Sequence, residues 1–202
     1  MKLSSSLPVG RDEATTAKRN KMFEKWDLNS NGALSFTEVD SAMRIMIGEQ
    51  MGGLLQNHAV MKWDKSWKPV IMRAYMHVKD TNKRWKAKNK RKDDYVEKDE
   101  FRLLLVCIRQ YFEMFVAFSR IDLNDDRRID LEEFKQALPT LKKWGIDVAE
   151  ENAEAEFAVI DDNGGGYVLF DEFIHWALER NLDLDDDDDF EDFDMEEGEK
   201  LY

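Results

Sequence analysis

The apolar positions of this chain recur mostly at helical spacing. Between Asp12 and Trp26, residues Met22, Phe23 and Trp26 fall on one face of a helix. From Phe36 to about Met51, Val39, Ala42, Met43, Met46 and Ile47 form a second apolar face, and Gly52 and Gly53 supply a stop. The stretch from Leu54 to Lys68, with Trp63 and Trp67, has room for a short extra helix. Pro69 suits a helix start, and Val70, Ile71, Ala74, Tyr75 and Val78 recur at helical spacing after it. Phe101 to Ile121 is apolar nearly all round, which predicts a long helix buried on several faces. Leu131 to Leu138 begins another helix, which Pro139 should kink or end. Gly145 closes the following turn, and Asp147 with Glu150 resembles a capping pair for a helix running to Ile160. Alternating β-branched runs are scarce, so the pattern predicts an all-α fold.

The polar stretches between these helices carry the chemistry. Asp27 to Glu38 reads D-L-N-S-N-G-A-L-S-F-T-E, which matches the calcium-loop pattern D-x-[DN]-x-[DN]-G-x5-E at every defined position. Calcium is a hard cation that takes six to eight oxygens, and a twelve-residue loop can wrap them around one centre. Asp27, Asn29, Asn31 and Ser35 are the candidate ligands at loop positions one, three, five and nine, Ala33 offers its carbonyl at seven, and Glu38 closes the site with both carboxylate oxygens. Gly32 supplies the left-handed turn. Leu34, at position eight, is placed to pair with a partner loop.

The end of this loop recurs along the chain. T-E-V at 37–39 is echoed by D-E-F at 99–101, E-E-F at 132–134 and D-E-F at 171–173, each with a Glu where the bidentate ligand belongs. The spacings are 62, 33 and 39 residues, so four helix-loop-helix units of EF-hand type are expected in two pairs, the second unit carrying an insertion. In the third loop, Asp122 to Glu133, the candidate ligands are Asp122, Asn124, Asp126, the Arg128 carbonyl, Asp130 and Glu133. Arg127 stands where glycine is expected, at a left-handed position costing a side chain about 1–2 kcal/mol. The fourth loop, Asp161 to Glu172, keeps Asp161, Asn163, the Tyr167 carbonyl and Glu172. Gly165 and Leu169 replace two side-chain ligands there, so weaker binding is expected, while Val168 can still pair with Ile129.

Charge changes the picture at two places. The chain of 202 residues has a net charge of −13, of which −11 lies between Asp183 and Tyr202, leaving a body near −2. That tail, acid punctuated by Phe190, Phe193 and Met195, is expected to be disordered by itself. It reads as a solubilising tail, as a segment docking on a basic surface of this chain or a partner, or as a loose calcium binder through Asp185–Asp189. The insertion Lys79 to Asp94 instead offers Lys83, Arg84, Lys86, Lys88, Lys90, Arg91 and Lys92 where a second loop would need acids. It should repel a divalent ion. It is either a solvated loop or a contact for acidic surfaces such as lipid headgroups or tubulin tails, with Trp85 favouring contact. No groove-reading helix or stacking platform points to nucleic acid.

At 43% hydrophobic residues the chain can bury a core. The single cysteine, Cys107, sits in an apolar helical run and reads as a core thiol, consistent with a reducing compartment. The three histidines, His58, His77 and His175, are scattered, and no nucleophile motif or phosphate-binding loop is present, so enzymatic activity is not expected. No secretory signal, membrane span or N-terminal acylation signal is visible, the chain beginning Met1-Lys2-Leu3.

With these residues in view, the run from Phe101 through Leu182 resembles the trypanosomatid flagellar calcium-binding proteins, or calflagins. The matching parts are F-R-L-L-L at 101–105, F-K-Q-A-L-P-T-L-K-K-W-G-I-D-V at 134–148 and F-D-E-F at 170–173, with a weaker match from about residue 15 onward. The resemblance implies a flagellar calcium sensor with functional sites in the C-terminal pair. Arg127, Gly165 and Leu169 depart from those sites, and loop one is better formed than the family implies. Family members are anchored to the flagellar membrane by N-terminal acylation, which this N-terminus does not support. The expectation is therefore an N-terminal pair (1–100), a C-terminal pair (101–182) and an acidic tail (183–202). Function is expected to be that of a Ca2+ sensor or adaptor on the cytoplasmic side of a flagellum or cilium. In that mechanism Glu38 and Glu133 swing in, and apolar surface is exposed to a protein partner that is axonemal or microtubule-associated. The alternative is a constitutive structural component of the axoneme. Ligand count suggests affinities of order 10⁻⁶ to 10⁻⁴ M.

Overall fold

The computed structural model describes residues 6–50, 67–81 and 94–180, without side chains at 48–50 and 80–81. The short helix expected within 54–68, the cationic run 83–92 and the acidic tail from Asp183 lie outside the described residues. Those residues hold seven α-helices and two strands of two residues each. The helices are α1 (Glu13–Trp26), α2 (Phe36–Gln50), α3 (Lys68–Thr81), α4 (Phe101–Ile121), α5 (Leu131–Lys143), α6 (Ala153–Ile160) and α7 (Phe170–Glu179). The strands β1 (Ala33–Leu34) and β2 (Val96–Glu97) lie between α1 and α2 and before α4. The fold is all-α in its architecture, with the strands confined to loops. Internal contacts divide the chain into two units that meet within α4, at Phe112 and Glu113.

In the first unit, the Asp12 carboxylate accepts the Thr15 N–H at 2.8 Å and caps α1. The apolar stripe of α1 ends in Phe23 and Trp26, which meet the Phe101 ring edge-on at centroid distances of 5.3 and 5.2 Å. Val39, Met43 and Ile47 of α2 are buried, as are Val70, Ile71, Ala74, Tyr75 and Val78 of α3. Helix α3 runs on through Lys79 to Thr81, so the first residues of the expected insertion are its last turn. Lys79 pairs there with Asp94 at 3.6 Å. Strands β1 and β2 are antiparallel, with Ala33 opposite Glu97 and Leu34 opposite Val96.

The N-terminal segment also belongs to this unit. Leu7 and Val9 are buried. Arg19 donates to the carbonyls of Pro8 (3.0 Å) and Gly10 (2.8 Å), and Arg102 Nε to that of Val9 (2.7 Å).

Helix α4 is buried on every side from Leu104 to Gln110. Cys107 lies in that stretch, and burial pushes its thiol up to about 12. In the second unit the core is aromatic: Phe118 packs edge-on against Phe170 and Phe173, and Phe134 against Phe157 and Trp176.

Two local expectations are corrected here. Pro139 does not end α5, which continues to Lys143. A mid-helix proline costs about 3 kcal/mol, but the turn beyond it carries Leu141, fully buried, whose burial returns about 2 kcal/mol. That turn is then closed by Gly145 at φ +86° and by Ile146 N–H donating to the Leu141 carbonyl at 2.9 Å. Asp147 and Glu150 do not form a capping pair. The chain enters α6 through a 3-10 turn at Glu150–Asn152 with no side-chain cap, and Asp147 accepts from Lys142 Nζ at 2.9 Å.

Candidate metal centre

Three twelve-residue loops share one backbone conformation. Positions four and six are left-handed in each: Ser30 and Gly32 (φ 55° and 76°), Asp125 and Arg127 (59° and 69°), Gly164 and Gly166 (66° and 79°). Arg127 therefore adopts the turn that glycine adopts in the other two loops, at the strain a Cβ brings. The reason is visible in the first residue of each loop, whose carboxylate is split over two successive N–H groups. Asp27 accepts from Asn31 (3.1 Å) and Gly32 (2.8 Å), Asp122 from Asp126 (3.2 Å) and Arg127 (2.8 Å), and Asp161 from Gly165 (2.9 Å) and Gly166 (2.8 Å).

In loops one and three the next ligand candidates follow the same ladder. Asn29 Oδ1 accepts from Asn31 N–H at 3.0 Å, and Asn31 Oδ1 from Ala33 N–H at 2.9 Å. Asn124 accepts from Asp126 N–H at 2.8 Å, and Asp126 from Arg128 N–H at 2.9 Å. Asp130 caps α5, taking the Glu133 N–H at 2.8 Å.

The closing glutamates already lie across their loops. Glu38 Oε1 accepts from Leu28 N–H (3.1 Å) and Asn29 Nδ2 (3.0 Å), while Oε2 accepts from Ser35 N–H (2.9 Å) and Ser35 Oγ (2.7 Å). Glu133 spans loop three in the same way, from Leu123 and Asn124 (3.0 and 3.2 Å) to Asp130 (3.0 Å). Glu172 does so in loop four, joining Asn163 to Leu169. Glu38 and Glu133 thus reach both ends of their loops, as a closing ligand at position twelve must.

The donor set fits calcium. Asp27, Glu38, Asp122 and Glu133 are all buried, two carboxylates to a loop, and the hydrogen bonds given above come from N–H and hydroxyl groups rather than from basic side chains. Buried like charges need a counter-ion. Burial pushes the Asp122 carboxyl above its ordinary value, opposed by the N–H bonds from Arg127 and Asp126 and reinforced by the charges of Glu133 and Asp126. Among the described residues no three His, Cys, Asp or Glu side chains converge on one point. The ligand sets mix carboxylates with amide, hydroxyl and carbonyl oxygens, and those oxygens are engaged by backbone N–H groups in this conformation. Loop four is poorer. Asp161 and Glu172 are more exposed, Gly165 and Leu169 bring no oxygen from a side chain, and a Cβ on Gly165 would lie 2.6 Å from Asn163 Oδ1.

The loops are joined in pairs. Ile129 and Val168, both at position eight, exchange N–H···O bonds of 2.9 and 2.8 Å, the pairing expected for loops three and four. Arg128 and Tyr167, both at position seven, stack beside them with the guanidinium 5.0 Å from the ring centre. Leu34 finds its partner in Val96, four residues before Glu100, so Val96 occupies position eight of the degenerate second loop. Glu100 at position twelve is itself buried, its Oε2 accepting the Glu97 N–H at 2.9 Å. The second unit thus keeps the closing glutamate and the pairing strand. Sequence reasoning identified Glu100 but not Val96, although the four-residue offset from the glutamate was available.

Paired helix-loop-helix units with these oxygen-lined loops define an EF-hand calcium-binding protein. The family profile described as "FCaBP EF-hand domain" matches residues 3–108, and that of an "EF-hand domain pair" matches residues 111–178. Flagellar calcium-binding proteins TB-17 and TB-24 of Trypanosoma brucei brucei are each 33% identical over 198 residues, 98% of this chain and 78% and 84% of theirs. The flagellar calcium-binding protein of Trypanosoma cruzi is 33% identical over 188 residues, 93% of this chain and 82% of its own. The chain belongs to the flagellar calcium-binding protein family, a non-enzymatic EF-hand family that binds Ca2+.

Proposed function

We propose that this protein is a flagellar calcium sensor or adaptor whose working sites are loops one and three. The observation that carries this reading is the pair of buried carboxylates in each of those loops, set among amide, hydroxyl and carbonyl oxygens on one shared backbone turn. Asp27, Asn29, Asn31, the Ala33 carbonyl, Ser35 and Glu38 would hold the ion in loop one. Asp122, Asn124, Asp126, the Arg128 carbonyl, Asp130 and Glu133 would hold it in loop three. Asp161, Asn163, the Tyr167 carbonyl and Glu172 form the weaker fourth site. Bound Ca2+ supplies the positive charge that these buried carboxylates lack. The protein's own part is to present the oxygens and to couple each loop to its flanking helices. The functional halves in this reading are residues 1–100 and 101–182, with 183–202 as an acidic appendage. The partner is a protein of the axoneme or its microtubules, met on the cytoplasmic side, and the basic stretch 79–92 offers a contact for acidic surfaces.

A second reading, a constitutive axonemal component, is favoured by one observation. Glu38 and Glu133 are held across their loops by hydrogen bonds from the loops' own N–H and hydroxyl groups. Calorimetric titration in physiological magnesium, on the wild type, Glu38→Gln and Glu133→Gln, tests the sensor. Micromolar binding lost in the matching variant, with calcium-dependent exposure of apolar surface, is the expected result. Binding no tighter than about millimolar, the weak end of the EF-hand range, with calcium-independent cosedimentation on microtubules, selects the structural component.

A further inference from the structure

Tyr75 stands on α3, outside every loop, yet its hydroxyl reaches into the loop pair. It lies 2.9 Å from the Leu34 carbonyl in β1 and 2.9 Å from the Asp94 carbonyl two residues before β2. The ring is 2% exposed, and Phe36, at the start of α2, packs edge-on against it at 5.6 Å. The phenol therefore has a fixed place between two chain segments 60 residues apart in sequence. Burial, with the nearby charges of Asp94, Glu100 and Glu38, raises its ionisation well above the ordinary tyrosine value, so it stays a donor.

Leu34 adjoins Ala33, whose carbonyl is the position-seven ligand of loop one. In an extended segment successive carbonyls point to opposite sides. A donor that holds the Leu34 carbonyl on the α3 side therefore turns the Ala33 carbonyl the other way. The strand pairing of Ala33 with Glu97 and Leu34 with Val96 restrains the same two residues. We propose that Tyr75 is a positioning residue for the calcium site of loop one, orienting the Ala33 carbonyl through its bond to Leu34 and referring it to the backbone of the second loop. On this view the second loop takes no ion but serves as the frame against which the first is set.

The inference rests on loop one being a calcium site, and the test separates the two. Full-length protein carrying Glu133→Gln and Glu172→Gln leaves loop one as the working site. Tyr75→Phe is added to it, removing one oxygen and keeping the ring. Calcium is titrated by calorimetry and by Trp26 fluorescence, and melting is followed in calcium and in chelator. The expected result is a loop-one affinity lowered roughly three- to tenfold, the worth of one hydrogen bond, with a smaller calcium-induced rise in melting temperature. A purely structural hydroxyl would lower both melting temperatures equally and leave the affinity unchanged, and that outcome overturns the inference alone. Absence of calcium binding in the parent background overturns the loop-one assignment and the inference with it.

Discussion

Replacing Glu38 by glutamine tests the hydrogen bonds that close loop one. The carboxylate is 7% exposed and accepts four hydrogen bonds, two from each end of the loop. A glutamine must turn its NH2 toward one end. If it faces Ser35, the hydroxyl can rotate to accept, but Ser35 N–H cannot. If it faces the other end, the Asn29 amide can flip, but Leu28 N–H cannot. Either way one backbone N–H meets a donor, and the remaining bonds lose their charge assistance. A buried group left unsatisfied costs about 1–3 kcal/mol. For a chain of this size each kcal/mol is worth about 2–4 °C in melting temperature. Glu38→Gln in chelator is therefore expected to melt about 3–10 °C below the wild type, before any calcium is added. Differential scanning calorimetry measures this directly, and urea denaturation followed by tryptophan fluorescence gives a second reading. A glutamate that hung free until an ion arrived would give the opposite pattern: unchanged or higher stability in chelator, with loss only in calcium. An unchanged or raised melting temperature in chelator would refute the closed-loop reasoning.

Arg127→Gly should leave stability nearly unchanged, because the left-handed strain it relieves, about 1–2 kcal/mol, is largely offset by the entropy glycine adds to the unfolded chain. Its effect should fall on calcium affinity at loop three, raised a few-fold in calorimetry by removal of a positive charge from the rim; no change or a decrease would count against that site. In loop four, Gly165→Asp with Leu169→Ser restores two ligand oxygens and should tighten that site about tenfold. Gly165→Asp without the second change should gain less, because its Cβ must push Asn163 aside. Cys107 should resist iodoacetamide in the native protein at pH 8 and react within minutes in denaturant, as read by mass spectrometry. Its folded-state value of about 12 against an ordinary 9.0 also sets a sign. Between those values the unfolded chain releases a proton that the folded one keeps, so stability is intact below pH 9 and falls as pH rises toward 12. Urea midpoints that rise over that range would contradict the burial.

What could be read in the sequence was what repeats at a fixed offset. The twelve-residue spacing located all three described loops, and position eight, counted from the same start, predicted that Ile129 meets Val168. Phe101 to Ile121 emerged with the expected bounds because an apolar run between two polar loops leaves few alternatives. What could not be read were bonds without a period. Nothing near Tyr75 announces that its hydroxyl reaches a carbonyl 41 residues back. Nothing in S-L-P-V-G announces that Arg19 and Arg102 will hold its carbonyls. Pro139 misled because a local rule was applied without the burial of Leu141 on the far side of it.

The two duties of such a loop, holding an ion and holding its neighbour, rest on different residues with different folding costs. Asn29, Asn31, Asn124 and Asp126 are exposed, so replacing them disturbs the fold little in the absence of the ion. Leu34, Val96, Ile129 and Val168 are at most 1% exposed, and each contributes about 1.5–3 kcal/mol of apolar burial. A loop can therefore lose these exposed ligands and keep its fold, whereas losing the position-eight residue would unseat its partner as well. The second unit follows this logic. Its sequence puts Arg91 at loop position three, between Lys90 and Lys92, yet Val96 and the buried Glu100 remain, and through them Leu34 and the first loop keep their frame. In loops one and three, exposed oxygens at positions three and five complete an ion site begun by two buried carboxylates, while support for the neighbouring loop rests on the buried position-eight residue.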